Sequence, residues 1–271
     1  MLSSLAPARR RLVLIVSAVA LVAALAVAAG VIVSSIGSST KARPVAQDTV
    51  GPVLLVPGYG GSTSGLNSLA ATLRANGRRV SLFNPPGDAT GDLRVQAQAL
   101  AATARALQHS TGAPSIDVVG YSAGGVVARL WVRDYAGAAI ARRIVTLGSP
   151  QHGTQLAAVA GSLVSGACPV ACQQLEPGSD LLDSLNSGDE TPAGPTFVSI
   201  WSSGDDVVIP PSSAELTGAV NLQVQRVCAR EAVNHSQLPS DKVVQAMVVA
   251  GLAAGPPVVL KATDCDRLQT G

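Results

Sequence analysis

Two kinds of hydrophobic pattern alternate along residues 52–254. Short, continuous apolar runs that end in glycine or turn residues predict buried strands, and they lie within 51–65, 78–88, 115–122, 142–150, 196–206 and 221–229. Segments with helical spacing predict helices at 92–108, 123–136 and 240–254, the last capped by Ser240. Continuous apolar strands that alternate with helices are typical of a mostly parallel sheet covered by helices on both faces. The pattern therefore predicts an α/β fold.

One part of the chain departs from this alternation. Residues 151–195 are rich in glycine, serine and proline and show no sustained period. Long irregular segments of this kind commonly cover a functional site. We therefore predict a lid or an irregular excursion over the sheet.

The N-terminal hydrophobic pattern is different again. Arg9, Arg10 and Arg11 precede residues 12–33, an uncharged apolar run whose one polar side chain is Ser17. At a rise of about 1.5 Å per residue, a helix of this length crosses a bilayer, and the arginines favour a cytoplasmic N-terminus. A cleaved signal peptide has the same layout with a shorter apolar region. Either an anchor or a signal peptide puts the rest of the chain outside the cytoplasm.

The segment that follows, residues 34–51, is rich in serine and glycine and lacks periodicity, which predicts a flexible linker. A single folded domain is then expected over residues 52–271.

Four cysteines, Cys168, Cys172, Cys228 and Cys265, all lie in the part expected to be exported. Disulfides are the default in an oxidising compartment, and three pairings are possible. A zinc site is the alternative, but one C-x-x-x-C with two distant cysteines fits metal spacing poorly. We favour the pairs Cys168–Cys172, which closes a local loop, and Cys228–Cys265, which ties down the C-terminal tail.

Charge and composition exclude some partners. The net charge is only +2, and aromatic residues make up 3% of the chain. Nucleic-acid binding usually requires a basic surface or aromatic stacking platforms, so no nucleic-acid partner is expected.

The strongest chemical signal lies between the predicted strand 115–122 and the helix that follows it. The sequence "GYSAG", residues 120–124, matches the pattern G-x-S-x-G. In such a turn the glycines relieve steric crowding, and the serine hydroxyl projects at the carboxyl edge of the sheet. The pattern predicts Ser122 as a nucleophile.

A serine nucleophile requires a base and an acid, which follow it in the order acid, then histidine. Of the three histidines, His109 precedes the serine and His152 precedes the best acid, which leaves His235 as the base. Asp205 and Asp206 both follow the predicted strand 196–206. We predict Asp205 as the acid, with Asp206 as the substitute.

Two backbone amides are expected to bind an oxyanion. Ala123 opens the helix after the serine, where the amide has no intrahelical partner. The loop "VPGYGGS", residues 56–62, follows the first strand, and its glycines allow close approach to a substrate. The Tyr59 amide is the predicted second donor, although a simple turn would explain the same residues.

With these residues in place, the chain resembles the small secreted bacterial lipases and esterases of the α/β-hydrolase superfamily. The resemblance rests on "VPGYGGS", "GYSAGGVVAR", "LGSPQHGT", "SSGDDVVIPP" and "NHSQLPSD", in that order. It implies hydrolysis of an acyl ester or lipid without a cofactor or metal. It also implies a structural role for His152 near the acyl pocket, and a disulfide-closed segment over 168–186 near the substrate entrance. The chain departs from many relatives in having Pro57 before Gly58, where they have histidine.

The sequence therefore predicts a serine carboxylic ester hydrolase that is anchored in the membrane or secreted. Two alternatives remain open. An acyltransferase would use the same serine, acid and histidine, and a non-catalytic binding module would keep only the fold.

Overall fold

The computed structural model describes residues 45–163 and 168–270, and its centre is a six-stranded parallel sheet. The strand order is β2-β1-β3-β4-β5-β6, and every neighbouring pair is parallel. The strands are β1 (Val53–Val56), β2 (Val80–Leu82), β3 (Ile116–Tyr121), β4 (Ala141–Leu147), β5 (Thr196–Trp201) and β6 (Val220–Gln223). The predicted α/β class with a parallel sheet is confirmed.

Helices connect the strands. Those in the first half are α1 (Ser64–Ala75), α2 (Leu93–Thr111) and α3 (Ala123–Asp134). The remainder are α4 (Gln155–Leu163), α5 (Val170–Gln174), α6 (Asp180–Asn186), α7 (Val224–Val227), α8 (Lys242–Gly251) and α9 (Cys265–Thr270). Short 3-10 turns occupy Gly137–Ala139, Pro211–Ala214, His235–Gln237 and Ala262–Asp264.

The core lies on both faces of the sheet, because successive side chains of a strand point to opposite sides. In β1, Leu54 and Val56 belong to the cluster shared with α2 and α3. Val53 and Leu55 belong to the other cluster, which includes apolar side chains of α1 and α8. Both faces are therefore covered, as continuous apolar strands require.

The excursion after β4 is more regular than its composition suggests. Residues 151–195 contain α4, α5 and α6, although their irregular connections agree with the prediction. Leu181, Leu182 and Leu185 of α6 are buried in the same cluster as α2 and α3. The excursion thus packs against the face of the sheet that α2 and α3 cover.

Two local predictions need correction, and one helix was not predicted. Helix α1 was not predicted, although Leu66, Leu69 and Leu73 are buried at helical spacing. The strand expected over 221–229 ends at Gln223, where α7 begins. The N-cap of α8 is Asp241, not Ser240, because the Asp241 carboxylate accepts from the Val244 amide at 2.9 Å.

The described chain begins inside the segment predicted as a linker. The Gln47 carbonyl accepts hydrogen bonds from the Arg142 side chain at 3.0 Å and from the Gly255 amide at 3.1 Å. The Gln47 side chain also accepts from Thr196 Oγ1 at 3.0 Å, so residue 47 is joined to β4, to β5 and to the loop after α8.

The segment 12–33, predicted as an anchor or signal peptide, lies outside the described residues. Over the two described ranges, no helix combines the length and apolar character that spanning a membrane requires.

Both favoured disulfides are present in the structure. Cys168–Cys172 closes a loop at the start of α5, and Cys228–Cys265 joins the end of α7 to the start of α9. No cysteine is free. Across 45–163 and 168–270, no three histidine, cysteine or carboxylate side chains form a group that could hold a metal ion.

Candidate active site

Ser122 lies in the turn between β3 and α3, at the carboxyl edge of the sheet. Its backbone has φ 54° and ψ −128°, a conformation that residues with a side chain rarely adopt. The Ser122 amide donates to the carbonyl of Leu147 at 2.9 Å, which ties the turn to the end of β4. The Ser122 side chain makes no capping hydrogen bond to its own helix.

The glycines of "GYSAG" are required by close approach to neighbouring backbone. A Cβ added to Gly120 would lie 2.6 Å from the Gly124 carbonyl oxygen. One added to Gly124 would lie 2.5 Å from the carbonyl oxygens of Val56 and Pro57. Real Cβ atoms do not approach other atoms so closely, so the predicted steric reason for these glycines holds in the fold.

His235 lies between Ser122 and Asp205. Its Nε2 is 2.9 Å from Ser122 Oγ, and its Nδ1 is 2.8 Å from Asp205 Oδ2. An ionised carboxylate can only accept, so the network assigns the Nδ1 proton to His235 and leaves Nε2 to accept from the serine hydroxyl. The histidine and aspartate side chains are 7% and 1% exposed, which keeps this chain of hydrogen bonds largely out of water.

The Asp205 carboxylate is held in place by backbone amides of the residues that follow it. Its second oxygen, Oδ1, accepts from the amides of Val207 at 3.0 Å and Val208 at 2.8 Å. Asp206, the substitute acid, does not contact the imidazole in this way. Its Oδ1 accepts from the His235 main-chain amide at 3.2 Å. The two adjacent aspartates therefore contact different parts of the same histidine.

Gln225 joins the loop that carries the aspartates to the loop that carries the histidine. Its Nε2 donates to Ser202 Oγ at 2.8 Å and to the Glu231 carbonyl at 3.1 Å, while its Oε1 accepts from the Ser203 amide at 2.9 Å. The buried Ser202 hydroxyl donates in turn to the carbonyl of Val233. Sequence reasoning missed this link, because Gln225 lies within the run predicted as a strand.

Tyr121 also contacts the histidine and Gly148 lies close to it, and neither was predicted. The Tyr121 hydroxyl donates to the His235 carbonyl at 3.1 Å, and the two ring centroids are 5.1 Å apart. A Cβ on Gly148, which has φ 51°, would lie 2.9 Å from Asp205 Oδ2 and 3.3 Å from His235 Nδ1. The glycine directly after a strand, in "LGSP", was a signal for this close approach.

Of the predicted oxyanion donors, Ala123 follows the serine directly, and the loop that carries Tyr59 approaches the serine at Gly58. Ala123 is the first residue of α3 and is buried, and an amide at this position has no acceptor within its helix. In the loop after β1, a Cβ on Gly58 would lie 2.8 Å from Ser122 Cβ and 3.4 Å from its Oγ. The Gly61 amide closes a turn onto the Gly58 carbonyl at 3.1 Å, with Tyr59 between them.

His152 is not in contact with the histidine–aspartate pair. Its Nε2 is 2.8 Å from Glu190 Oε1, and its Nδ1 is 3.2 Å from the Ser213 carbonyl. Burial raises the pKa of Glu190, but hydrogen bonds from His152 and from the Thr217 amide outweigh burial and hold that pKa below its ordinary value. His109, at the end of α2, is exposed.

Arg129 connects α3, the helix after Ser122, to the excursion. Its guanidinium donates to Gln151 Oε1 at 3.1 Å, to Asn186 Oδ1 at 2.9 Å and to the Glu190 carbonyl at 3.0 Å. Desolvation lowers the pKa of Arg129 to about 10, which leaves it a cation at neutral pH. Hydrogen bonds from the buried Arg129 guanidinium thus join the excursion to α3.

Known proteins share this architecture. Lipase B of Aspergillus fumigatus has a similar structure, with a TM-score of 0.69 at 20% identity, covering 81% of this chain and 56% of that one. The lipase BlEst2 of Bacillus licheniformis in its mature form has a TM-score of 0.57 at 20% identity, covering 67% of this chain and 87% of that one. The propeptide form of the same lipase has a TM-score of 0.64 at 20% identity, covering 81% of this chain and 55% of that one. At this identity the likeness concerns the fold.

The present chain spans little more than half the length of the fungal lipase and of the propeptide form. No curated protein sequence matches it. The sequence model described as lipase (class 2) matches residues 102–248, which include β3, the serine turn, both aspartates and His235. This match extends over more than half of the chain, which therefore belongs to the lipase (class 2) family, a family of ester-hydrolysing enzymes.

Proposed function

We propose that the protein hydrolyses carboxylic esters through Ser122, His235 and Asp205. The observation that carries the proposal is the continuous line of short hydrogen bonds from Ser122 Oγ through the imidazole to Asp205 Oδ2. A serine in a strained strand-to-helix turn, within reach of a base that is itself oriented by an acid, is the arrangement of an activated nucleophile.

In the first step, Ser122 Oγ attacks the acyl carbonyl while His235 Nε2 takes the hydroxyl proton. The tetrahedral intermediate collapses when the bond between the acyl carbon and the alcohol oxygen breaks. His235 gives its proton to the departing alcohol, and the acyl group remains on Ser122 as an ester. Asp205 keeps the Nδ1 proton in place and stabilises the imidazolium.

In the second step, water replaces the alcohol. His235 Nε2 takes a proton from the water as its oxygen attacks the acyl carbon. The bond between Ser122 Oγ and the acyl carbon then breaks, the serine recovers its proton from His235, and the carboxylic acid leaves. During both steps the amides of Ala123 and Tyr59 donate to the oxyanion, aided by the positive end of α3.

We propose further that the enzyme works outside the cytoplasm, with residues 52–271 as the catalytic domain. Two disulfides and no free cysteine support an oxidising compartment. The arginines and the apolar segment 12–33 support export, either with a retained anchor or with a cleaved signal peptide.

A reactive fluorophosphonate tests the chemistry on the full-length chain. We expect stoichiometric labelling of Ser122, located by peptide mass spectrometry, together with hydrolysis of nitrophenyl esters. Ser122→Ala should abolish both, whereas Ser110→Ala, at an exposed serine of α2, should change neither. A folded protein that is neither labelled nor active would exclude a catalytic role and favour a binding module.

Cell fractionation under alkylating conditions tests the location. Intact-mass measurement should find no alkylated cysteine in the exported protein, while four alkylated thiols would contradict the proposed compartment. A mass without the apolar segment would identify a cleaved signal peptide, and a mass that retains it would identify an anchor.

A further inference from the structure

Two hydrogen bonds join His235 to the strand that delivers the nucleophile. One is the bond between His235 Nε2 and Ser122 Oγ, and the other runs from the Tyr121 hydroxyl to the His235 carbonyl. Among the described residues, no other hydrogen bond connects His235 with residues 116–122. Tyr121 and Ser122 are neighbours in the chain, so both bonds span the same gap between β3 and the histidine loop.

We propose that Tyr121 is a positioning residue that holds His235 in place while Ser122 carries the acyl group. The inference rests on the proposed function, because it concerns the second half of that reaction. It assigns a specific role to the variable residue before the serine in "GYSAG".

The argument follows from what acylation does to the first bond. Free Ser122 has a hydroxyl proton to donate to Nε2, but the esterified Oγ has none. The direct bond between the nucleophile and the base is therefore lost in the acyl-enzyme. Until water is activated, the hydrogen bond from the Tyr121 hydroxyl to the His235 carbonyl still joins the base to β3.

Two further hydrogen bonds join His235 to the loop after β5, and the Leu238 amide donates to the His235 carbonyl at 3.3 Å within the histidine's own loop. Asp205 holds the ring at Nδ1, and Asp206 accepts from the main-chain amide. Both aspartates follow β5, so they fix the histidine relative to that strand, whereas the Tyr121 hydroxyl fixes it relative to β3. Activation of water requires Nε2 at hydrogen-bonding distance from a water beside the acyl carbon on Ser122, which is carried by β3.

The chemistry of Tyr121 suits a permanent donor. Its side chain is partly buried beside the imidazole, and its hydroxyl donates to a carbonyl, which can only accept. Burial, with a contribution from the negative charges of Asp205 and Asp206, raises the pKa of Tyr121 to about 12. The phenol therefore keeps its proton throughout the pH range in which the enzyme would operate.

The test is Tyr121→Phe, which removes the hydroxyl and keeps the ring. Stopped-flow hydrolysis of a nitrophenyl ester separates acylation, seen as a burst, from deacylation, seen as the steady rate. We expect the burst rate constant to stay within about twofold of the parent, because Ser122 still holds His235 before acylation. The steady rate should fall roughly three- to tenfold, the loss that one neutral hydrogen bond implies.

Acid quenching during turnover gives a second readout. The fraction of protein that carries an acyl group, measured by intact mass, should be higher in Tyr121→Phe than in the parent unless the parent is already fully acylated. Active-site titration with a fluorophosphonate corrects both rates for misfolded protein. Tyr135→Phe is the matched control, because it removes a phenol hydroxyl at the end of α3, and it should leave both rates unchanged.

Equal loss of the acylation and deacylation rates, or no loss in either, would overturn the inference. A lower acyl-enzyme fraction in Tyr121→Phe would do the same. Failure of the proposed function has a different signature, since the parent itself would then be neither labelled nor active.

Discussion

His235 Nε2 and Ser122 Oγ lie 2.9 Å apart although 113 positions separate the two residues in the chain. The strained turn after β3 supplies the serine, and a 3-10 turn before α8 supplies the histidine. Because they lie so far apart in the chain, the pair exists only in the folded protein.

Removal of the Ser122 hydroxyl should abolish turnover and leave the fold intact. If serine, histidine and aspartate act as one unit, Ser122→Ala should lower kcat about 10⁶-fold. Hydrolysis of nitrophenyl esters measures the loss, and circular dichroism with thermal unfolding checks the fold. Retention of more than a few per cent of the activity by the purified variant would contradict the assignment.

The two aspartates should differ sharply when each is replaced by asparagine. Asp205→Asn presents an amide to the imidazole Nδ1 and disturbs its tautomer, which should lower kcat by roughly 10⁴-fold. Asp206→Asn keeps an oxygen that can accept from the His235 amide, so the expected loss is about tenfold or less. The two variants are matched, since they change adjacent residues identically. The opposite ranking would transfer the role of acid to Asp206.

A methyl group at Gly125 should lower the stability of the fold. The added Cβ would lie 2.1 Å from Ser149 Oγ and 2.9 Å from Thr146 Cγ2, so α3 must move away from β4. Overpacking of this kind typically costs about 1–3 kcal/mol of the free energy of unfolding. Urea unfolding of Gly125→Ala measures the loss. Gly91→Ala is the control, because its Cβ would meet nothing within 4 Å, and equal stability of the two variants would refute the steric explanation.

The two disulfides should contribute unequally to stability. Cys228–Cys265 closes a separation of 37 residues, whereas Cys168–Cys172 closes a separation of 4. The chain-entropy estimate then gives about 4 kcal/mol for the longer loop and about 2 kcal/mol for the shorter one. Urea unfolding of the two double alanine variants should therefore show the larger loss for Cys228 and Cys265. A larger loss at the short loop would mean that contacts in the excursion, rather than chain entropy, govern its contribution.

Hydrophobic periodicity predicts the class of this fold because burial on both faces of a parallel sheet requires continuous apolar strands. The same periodicity misplaces the end of the last strand. Apolar residues recur from Leu222 to Ala229, but β5 ends at Trp201, which pairs with Gln223. Beyond that residue the backbone of β6 has no partner strand and turns into α7. The end of a strand thus depends on its neighbour, which the local sequence does not describe.

By itself, the sequence determined the chemical types and the order along the chain of the candidate site: a serine in a glycine-rich turn, then two aspartates after a strand, then a loop histidine. Tertiary structure decided which groups meet, since Asp205 reaches the imidazole while Asp206 reaches the main chain of the same residue. It also placed Tyr121 against the histidine and Gly148 close to the histidine and Asp205. In the same way, it used Gln225 to join the two loops that carry them. Hydrogen bonds act over about 3 Å, so they depend on how strands and loops pack, and no local pattern in the sequence records that packing.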